Sequence, residues 1–396
     1  MIIGMLLDAV YPPDPRVENE AVSLIEAGHE VFLFCLHYGD QPEEERIKGI
    51  YVKRYKSSRL EFKLSALAYT VPFYKISLSK KIENFIENHK IEVLHVHDMQ
   101  IAGAAFKANQ PYGLPIHLDL HENRPEIMKF YPHLNKFPGK YIIQPSIWKK
   151  FEKQYVQQAT NVITVTEEAK NELVLRCSVF EKKIISVPNT VHKNFYENAK
   201  FDIGIENKFK DDFVLLYLGD TGLRRGLLTA IESVAHLKNE IPNIKLVIVG
   251  TSTEDSILKQ KISELGIENF VSFEGWQNVE LFPSYIKASN ICISPLHRNK
   301  HHDTTYANKI FQYMSFAKVV LASNATSQEN IIHKSNAGLI HKAEDVNDFS
   351  DKVRMLYADE EMCASFGENG QKFIQNEFTW EHTSKNLINL YNNLDS

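Results

Sequence analysis

The sequence predicts an α/β protein of two domains in tandem, each a doubly wound parallel sheet. Three observations carry that prediction. Short apolar runs suited to buried strands alternate with amphipathic helical stretches, the pattern that builds parallel sheets. The alternation runs through twice, with a polar stretch between the two series. At 396 residues the chain is too long for one typical domain and suits two of roughly 150–200 residues.

The first series opens with "IIGMLL" (2–7) and the helix "RVENEAVSLIEAGH" (16–29), which Gly28 ends as a C-cap does. Its further strands are "EVFLFCL" (30–36), "IEVLHVHD" (91–98), "LPIHLDLHE" (114–122), "NVITVT" (161–166) and "KIISVPN" (183–189). "YENAKFDIGIENKFKDD" (196–212) has few large aliphatic residues and reads as a linker between domains 1–195 and 213–379. The second series is "FVLLYLGD" (213–220), "KLVIVGT" (245–251), "FVSFEGW" (270–276), "ICISPL" (291–296), "VVLAS" (319–323) and "AGLI" (337–340). Two such Rossmann-like domains would face a central cleft at the carboxyl ends of their strands, where α/β proteins bind ligands.

Composition excludes several classes. Hydrophobic content of 43% and charged content of 24% are ordinary for a globular protein. A net charge of −5 argues against a protein that coats nucleic acid. The four cysteines show no C-x-x-C spacing, and Cys35 and Cys292 fall inside strand-like runs, as buried free thiols of a reducing compartment do. The N-terminus lacks a basic n-region and meets Asp8 too early for a signal peptide. No apolar stretch approaches the ~20 residues of a membrane-spanning helix. A cytoplasmic protein, or one lying on the inner face of a membrane without crossing it, is expected.

Two stretches could carry chemistry. In "YLGDTGLRRGLLTAIESV" (217–234) a strand ends at Gly219, a loop containing Gly222 follows, and Arg224, Arg225 and Gly226 lead into an amphipathic helix. Backbone N–H groups at a helix start attract anions, and an arginine there can clamp a phosphate. The second stretch, "HRNKHHDTTYANK" (297–309), follows a strand and precedes the helix of "YANKIFQYMSFAKVVLAS" (306–323). Thr305, Tyr306, Ala307 and Asn308 would offer helix-start N–H groups there, and Lys309 a cation. His301, His302 and Asp303 read as a solvated loop rather than a metal site. No Asp-x-Asp triplet occurs, so a carboxylate-held Mg²⁺ is not signalled. The first βα turn lacks G-x-G-x-x-G, against a nicotinamide or flavin enzyme.

The whole chain resembles a GT-B glycosyltransferase of family 4, or group 1, type. The resemblance rests on "YPPDPRVENEAVSLIEAGHEV", "VLHVHD", "LDLHENRPE", "VITVTEEAKNEL", "VPNTV", "LGDTGLRRGLLTAIESV", "KLVIVGT", "VSFEGW", "ANKIFQYMSFAKVVLAS" and "FTWE", in the family's order. It implies transfer of a sugar, with retention, from a nucleoside diphosphate sugar to a hydroxyl of a glycan or lipid-linked acceptor, in synthesis of a surface polysaccharide or glycoconjugate. It also implies that residues 303–309 face the donor diphosphate and that Gln312 stands where a Glu commonly binds the ribose. Thr304 stands where a second Glu lies near the sugar, with Asp303 beside it as a substitute. Arg225 keeps a phosphate-binding charge, whereas Asp220 departs from one unless Arg224 takes its place. His121 corresponds to a histidine near the donor sugar; His97 and Asp98 read as structural. The last helix, about 380–396, would pack back on the first domain. No metal and no cofactor are expected, because Arg225 and Lys309 would neutralise the leaving diphosphate.

The changes at Gln312, Thr304 and Asp220 motivate a second reading, a degenerate subunit that binds a sugar nucleotide or a partner enzyme without transfer. A GT-B epimerase is a third. Finally, residues 53–81 carry eight Lys or Arg against the single acid Glu61, interleaved with Tyr, Phe and Leu. That mixture suits an anionic membrane surface, or else a helix with a solvated basic face.

Overall fold

The computed structural model describes residues 1–131, 134, 137 and 142–394, apart from the side chains of Phe62 and Lys63. The chain divides into two compact units, Met1–Pro188 with Ser384–Ser396, and Asn189–Thr383. Each is a parallel sheet covered by helices, as the alternating pattern requires.

The first unit contains β1 (Ile2–Leu6), β2 (Glu30–His37), β3 (Glu44–Ile47), β4 (Ile50–Lys56), β5 (Val93–His97), β6 (Ile116–Leu120), β7 (Asn161–Thr164) and β8 (Ile184–Ser186). They lie in the order β3-β4-β2-β1-β5-β6-β7-β8, parallel except for the edge pair β3 and β4. That pair is a hairpin the apolar pattern did not announce. Its edge strand reads "EERI", and charged residues on an edge discourage further strand pairing. The turn is Lys48-Gly49, both with positive φ, as a two-residue hairpin turn needs.

The hairpin changes the reading of residues 53–81. Residues 53–56 belong to β4, and only Arg59–Ser65 and Phe73–His89 are helical. Arg54 is buried and bonded to Glu45 and to the carbonyls of Tyr11 and Pro42, while Lys53 pairs with Glu44 and Lys81 with Glu61. Lys63, counted among the eight basic residues, has its side chain outside the described set.

The second unit contains β9 (Phe213–Leu218), β10 (Ile244–Val249), β11 (Val271–Gly275), β12 (Ile291–Ser294), β13 (Val319–Ser323) and β14 (Gly338–His341). The order is β11-β10-β9-β12-β13-β14, so the winding reverses between β9 and β12. Ligands of doubly wound sheets bind outside the strand ends at such a reversal. Here the two strands also part early. Their register pairs Leu215 with Ile291 and Leu216 with Cys292 and stops, whereas β9 pairs with β10 through Leu218. The buried Tyr313 hydroxyl closes the gap by accepting from the Leu218 N–H, at 2.9 Å.

Residues 196–212, expected as a linker, instead belong to the second unit. Helix Ile203–Lys208 is capped by Asp202, whose own N–H donates to Ser284, and Phe209 is buried in the second core. Sparse but well-placed apolar residues were enough to dock the segment. The last helix spans Trp380–Asn392, and Tyr391 is buried with its hydroxyl 2.7 Å from His95 of the first unit. Asp395 and Ser396, the end of the stretch expected to be helical, lie outside the described residues. Among the described residues no helix is long and apolar enough to cross a membrane. Cys35, Cys177 and Cys292 are buried free thiols.

Candidate active site

The second unit gathers most of the expected residues around the reversal between β9 and β12. Close approach comes first. A Cβ on Gly226 (φ +77°) would stand 1.7 Å from the Pro295 carbonyl oxygen, so only glycine lets the loop after β9 touch the end of β12. The His297 N–H then donates to the Arg224 carbonyl, stitching the two loops together. Gly219 adopts φ +113°, a conformation other residues rarely take, and Lys309 Nζ lies 3.5 Å from where its Cβ would be, an ordinary contact.

Lys309 opens helix Lys309–Ser315 and lays its ammonium over the Tyr217 ring, 3.3 Å from the centroid. Among the described residues no carboxylate lies within ion-pair distance of it. Burial, reinforced by Arg225 and opposed by Asp220, holds its pKa well below the ordinary lysine value. Arg225 Nε contacts Asp220 Oδ2 at 3.1 Å, and Arg224 lies 3.7 Å from the same oxygen. Burial works to raise the Asp220 pKa, but the two arginines outweigh it and the carboxyl is held low. Asp220, expected as the loss of a cation, thus organises two cations beside it. Lys309, Arg224, Arg225 and Asp220 leave a positive excess for an incoming anion.

Several expectations change. The helix after Asn308 is seven residues long, too short for its dipole to matter much, so the positive field here comes from side chains. The loop before it is solvated only in part. His301 and His302 are buried, and His302 Nδ1 lies 2.8 Å from the His297 carbonyl while its Nε2 faces Arg224 at 3.3 Å. Burial, helped by Arg225 and Arg224, pushes His302 down to about 4, so the ring is neutral at pH 7. Asp303 is bound to the start of helix Thr326–Ser335, accepting from Thr326 N at 2.8 Å and Thr326 Oγ1 at 3.0 Å. The hydroxyls of Thr304 and Thr305 donate to backbone carbonyls of the same loop. Ala307 and Tyr306 pack on the core. Gln312 sits three residues after Lys309 on the same helix face and is half-buried, with its amide making no hydrogen bond among the described residues. Glu254, accepting from Leu223 N at 2.7 Å, braces the arginine loop. It had no signal, because "TSTED" reads as an ordinary helix cap.

His121 lies in the first unit, at the end of β6, within a buried charged cluster. Arg16 forks onto both Asp119 oxygens, at 3.0 and 2.7 Å, reaches Glu20 at 2.8 Å and donates to the Val187 carbonyl at 3.0 Å. Glu20, His95, His97 and Asp119 could hold a metal ion by geometry, with ligand atoms within 4.8 Å of one another. The Arg16 guanidinium already stands against both carboxylates, so the positive charge there is the protein's own. His121 Nε2 lies 2.7 Å from Asp119, and its Nδ1 3.5 Å from Asp98, whose other oxygen accepts from His121 N. His97, expected as structural, contacts both Asp119 and His121.

A sequence model described as "Glycosyltransferase Family 4" matches residues 16–195, and one described as "Glycosyl transferases group 1" matches residues 198–373. An uncharacterized glycosyltransferase of Methanocaldococcus jannaschii is 23% identical over 388 residues, covering 94% of this chain and 91% of that protein. The capsular polysaccharide biosynthesis glycosyltransferase CapM of Staphylococcus aureus is 23% identical over 248 residues, 59% of this chain and 62% of its own. The crystal structure of Anabaena HepE in complex with UDP-glucose superposes with a TM-score of 0.74 at 14% identity, covering 99% of this chain and 100% of that one. Two contiguous family matches across a pair of parallel-sheet units settle the class. The chain belongs to the GT-B glycosyltransferases of the group 1, family 4 type.

Burial opposes a charge on His121, but Asp98 and Asp119 outweigh it and raise the pKa from the ordinary 6.5 to about 9. A raised histidine stabilises the fold fully below the unfolded value and loses that contribution as the pH rises through the folded one. The His121 ring should therefore titrate near pH 9 by NMR, with its share of the stability fading between about pH 6.5 and 9. A midpoint at or below 6.5 would break this electrostatic account.

Proposed function

We propose that the crevice between the loops after β9 and β12 binds the diphosphate of a nucleoside diphosphate sugar, and that the enzyme transfers the sugar to a hydroxyl of a glycan or lipid-linked acceptor. The observation that carries this reading is Lys309, a half-buried ammonium with an aromatic ring beneath it and no carboxylate partner among the described residues. A desolvated cation without a counter-ion is costly, and an arriving diphosphate relieves that cost. The UDP-glucose named with the HepE structure supports this choice of donor.

As the sugar–phosphate bond breaks, negative charge accumulates on the leaving diphosphate. In this reading Lys309, Arg225 and Arg224 stabilise it, as preorganised charge lowers a barrier. The same cations make a metal unnecessary, and retention at the anomeric carbon follows the resemblance to the family. We assign Gln312 to the ribose, Gly219 and Gly222 to backbone approach by the phosphates, and Thr305 and Asn308 to the rim of that subsite. Asp303, Thr304, Tyr306 and Ala307 shape the loop that presents them. The protonated His121 is assigned to the donor sugar. A subunit that binds sugar nucleotides without transfer is favoured by one observation, the pairing of Asp220 with both arginines.

We further propose that the first unit rests on an anionic membrane at the cytoplasmic face, in synthesis of a surface polysaccharide; the capsular role in the name of CapM points the same way. Leu60 and Phe73 are each 68% exposed, and exposed Lys56, Arg59 and Lys80 accompany them. Apolar side chains flanked by cations suit the boundary between headgroups and acyl chains.

Arg225→Ala should lower turnover roughly ten- to a hundredfold, the loss of one charge-assisted contact of about 1.5–3 kcal/mol. Gln312→Leu should raise the donor KM about tenfold with kcat little changed, because the ribose hydroxyls lose a partner in bound ground and transition states alike. A panel of nucleoside diphosphate sugars assayed for transfer and slow hydrolysis gives both readouts. Binding without any turnover in the unaltered enzyme would favour the non-transferring reading, and unaltered kinetics in both variants would remove these residues from the site.

Vesicle sedimentation tests the membrane proposal. Binding should require anionic lipid and weaken with salt, because each basic residue near the surface contributes on the order of 1 kcal/mol and is screened beyond a Debye length. Phe73→Asp should cut it about tenfold by removing buried apolar area. Equal binding to neutral and anionic vesicles would contradict it.

A further inference from the structure

Arg224 is held from both loops that border the crevice. In its own loop after β9, the guanidinium Nη2 lies 3.7 Å from Asp220 Oδ2. From the loop after β12, the His297 N–H donates to the Arg224 carbonyl at 3.1 Å. The same loop brings His302, only 1% exposed, to Arg224, with its ring Nε2 3.3 Å from Nη1.

The partners of the His302 ring assign its protonation state. Nδ1 lies 2.8 Å from the His297 carbonyl oxygen, which can only accept, so Nδ1 carries a proton. An arginine can only donate, so Nε2 presents its lone pair to Arg224. The neutral Nδ1–H tautomer satisfies both contacts. The other tautomer would set two acceptors together at 2.8 Å and two donors at 3.3 Å. An imidazolium would keep the first bond and lose the second. Asn299 supports this arrangement, since its Oδ1 accepts from the His302 N–H at 3.0 Å. Its Nδ2, 3.0 Å from Nδ1, donates to the second lone pair of the His297 carbonyl at 3.3 Å. Burial, helped by Arg225 and Arg224 and opposed by the bond to His297, lowers the His302 pKa to about 4, in keeping with a neutral ring.

From this geometry we infer that His302 is a positioning residue for sugar transfer, a neutral acceptor that fixes the Arg224 guanidinium in place for the donor diphosphate. The role rests on the reading of the crevice as the diphosphate site. A carboxylate in the same place would also orient Arg224, but it would cancel the charge that the diphosphate meets. A neutral ring orients the cation and leaves its charge uncompensated. Holding a long side chain in one rotamer before the ligand arrives also removes an ordering cost from binding.

The test is calorimetric titration of UDP into the full chain and into the variants His302→Phe and His302→Gln. The first fills the space without an acceptor, whereas the side-chain oxygen of the second can stand where Nε2 stood. His302→Phe should weaken UDP binding roughly tenfold, and His302→Gln should bind nearly as tightly as the unaltered chain. A histidine that served stability alone would shift the melting temperature and leave UDP affinity level. Equal affinity in His302→Phe and the unaltered chain therefore overturns the role while the diphosphate site stands. An equal loss in both variants overturns it too, because the acceptor would then not be what matters. If the unaltered chain does not bind UDP, the diphosphate reading falls and the role falls with it. Nitrogen NMR of the unaltered chain decides the matter even where the variants fail to fold. Nδ1 should be protonated and Nε2 bare at pH 7; the opposite tautomer, or an imidazolium, overturns the role.

Discussion

The arrangement of the second unit depends on β9 pairing with β10 on one side and β12 on the other while the β9–β12 ladder stops short. Because the ladder ends at Leu216 and Cys292, the loops that follow diverge and enclose a crevice. Gly226 then allows the arginine loop to lie against Pro295, which fixes Arg224 and Arg225 to the frame of the sheet. The tyrosine that fills the early gap, Tyr313, belongs to the same short helix as Lys309 and Gln312. One irregularity in strand pairing therefore sets the register of the helix that carries the candidate donor contacts.

The two units treat buried charge in opposite ways. In the first, Arg16 meets Asp119, Glu20 and a carbonyl, so the two buried carboxylates face a cation of the protein's own. Such a group is expensive to disturb and holds the histidines at the ends of β5 and β6. In the second, Lys309 is desolvated with no acid in ion-pair distance among the described residues, and Asp220, whose charge it feels, is taken up by the two arginines. A network whose acids face a cation positions residues. An unbalanced one is ready for a ligand, and the difference separates framework from site without reference to any relative.

The sheets were legible because buried parallel strands are almost unbroken apolar runs, and all the runs read as strands are strands. The hairpin β3–β4 was missed since its edge is charged by necessity. The segment 196–212 read as linker because its anchoring depends on Phe209 alone among large residues that are fully buried, and isolated residues carry no period. At the site, Arg224, Arg225, Lys309 and Gln312 were legible as residue types following strand ends. The Tyr217 platform was not, since Tyr217 sits inside an apolar strand and looks like core. Asp303 looked available in sequence, but the start of the helix at Thr326, more than twenty residues on, takes its carboxylate. Contacts of that separation leave no local trace.

The central claim is that Lys309 is held in an unfavourable state which a diphosphate relieves. The direct measurement is the titration of the Lys309 side chain by NMR in the full chain, with its Nζ labelled, in the absence and presence of saturating UDP. The account predicts a pKa well below the ordinary 10.5 in the free protein and a marked rise with UDP bound. A lysine that titrates near 10.5 in the free protein, or one that UDP leaves unmoved, would contradict it.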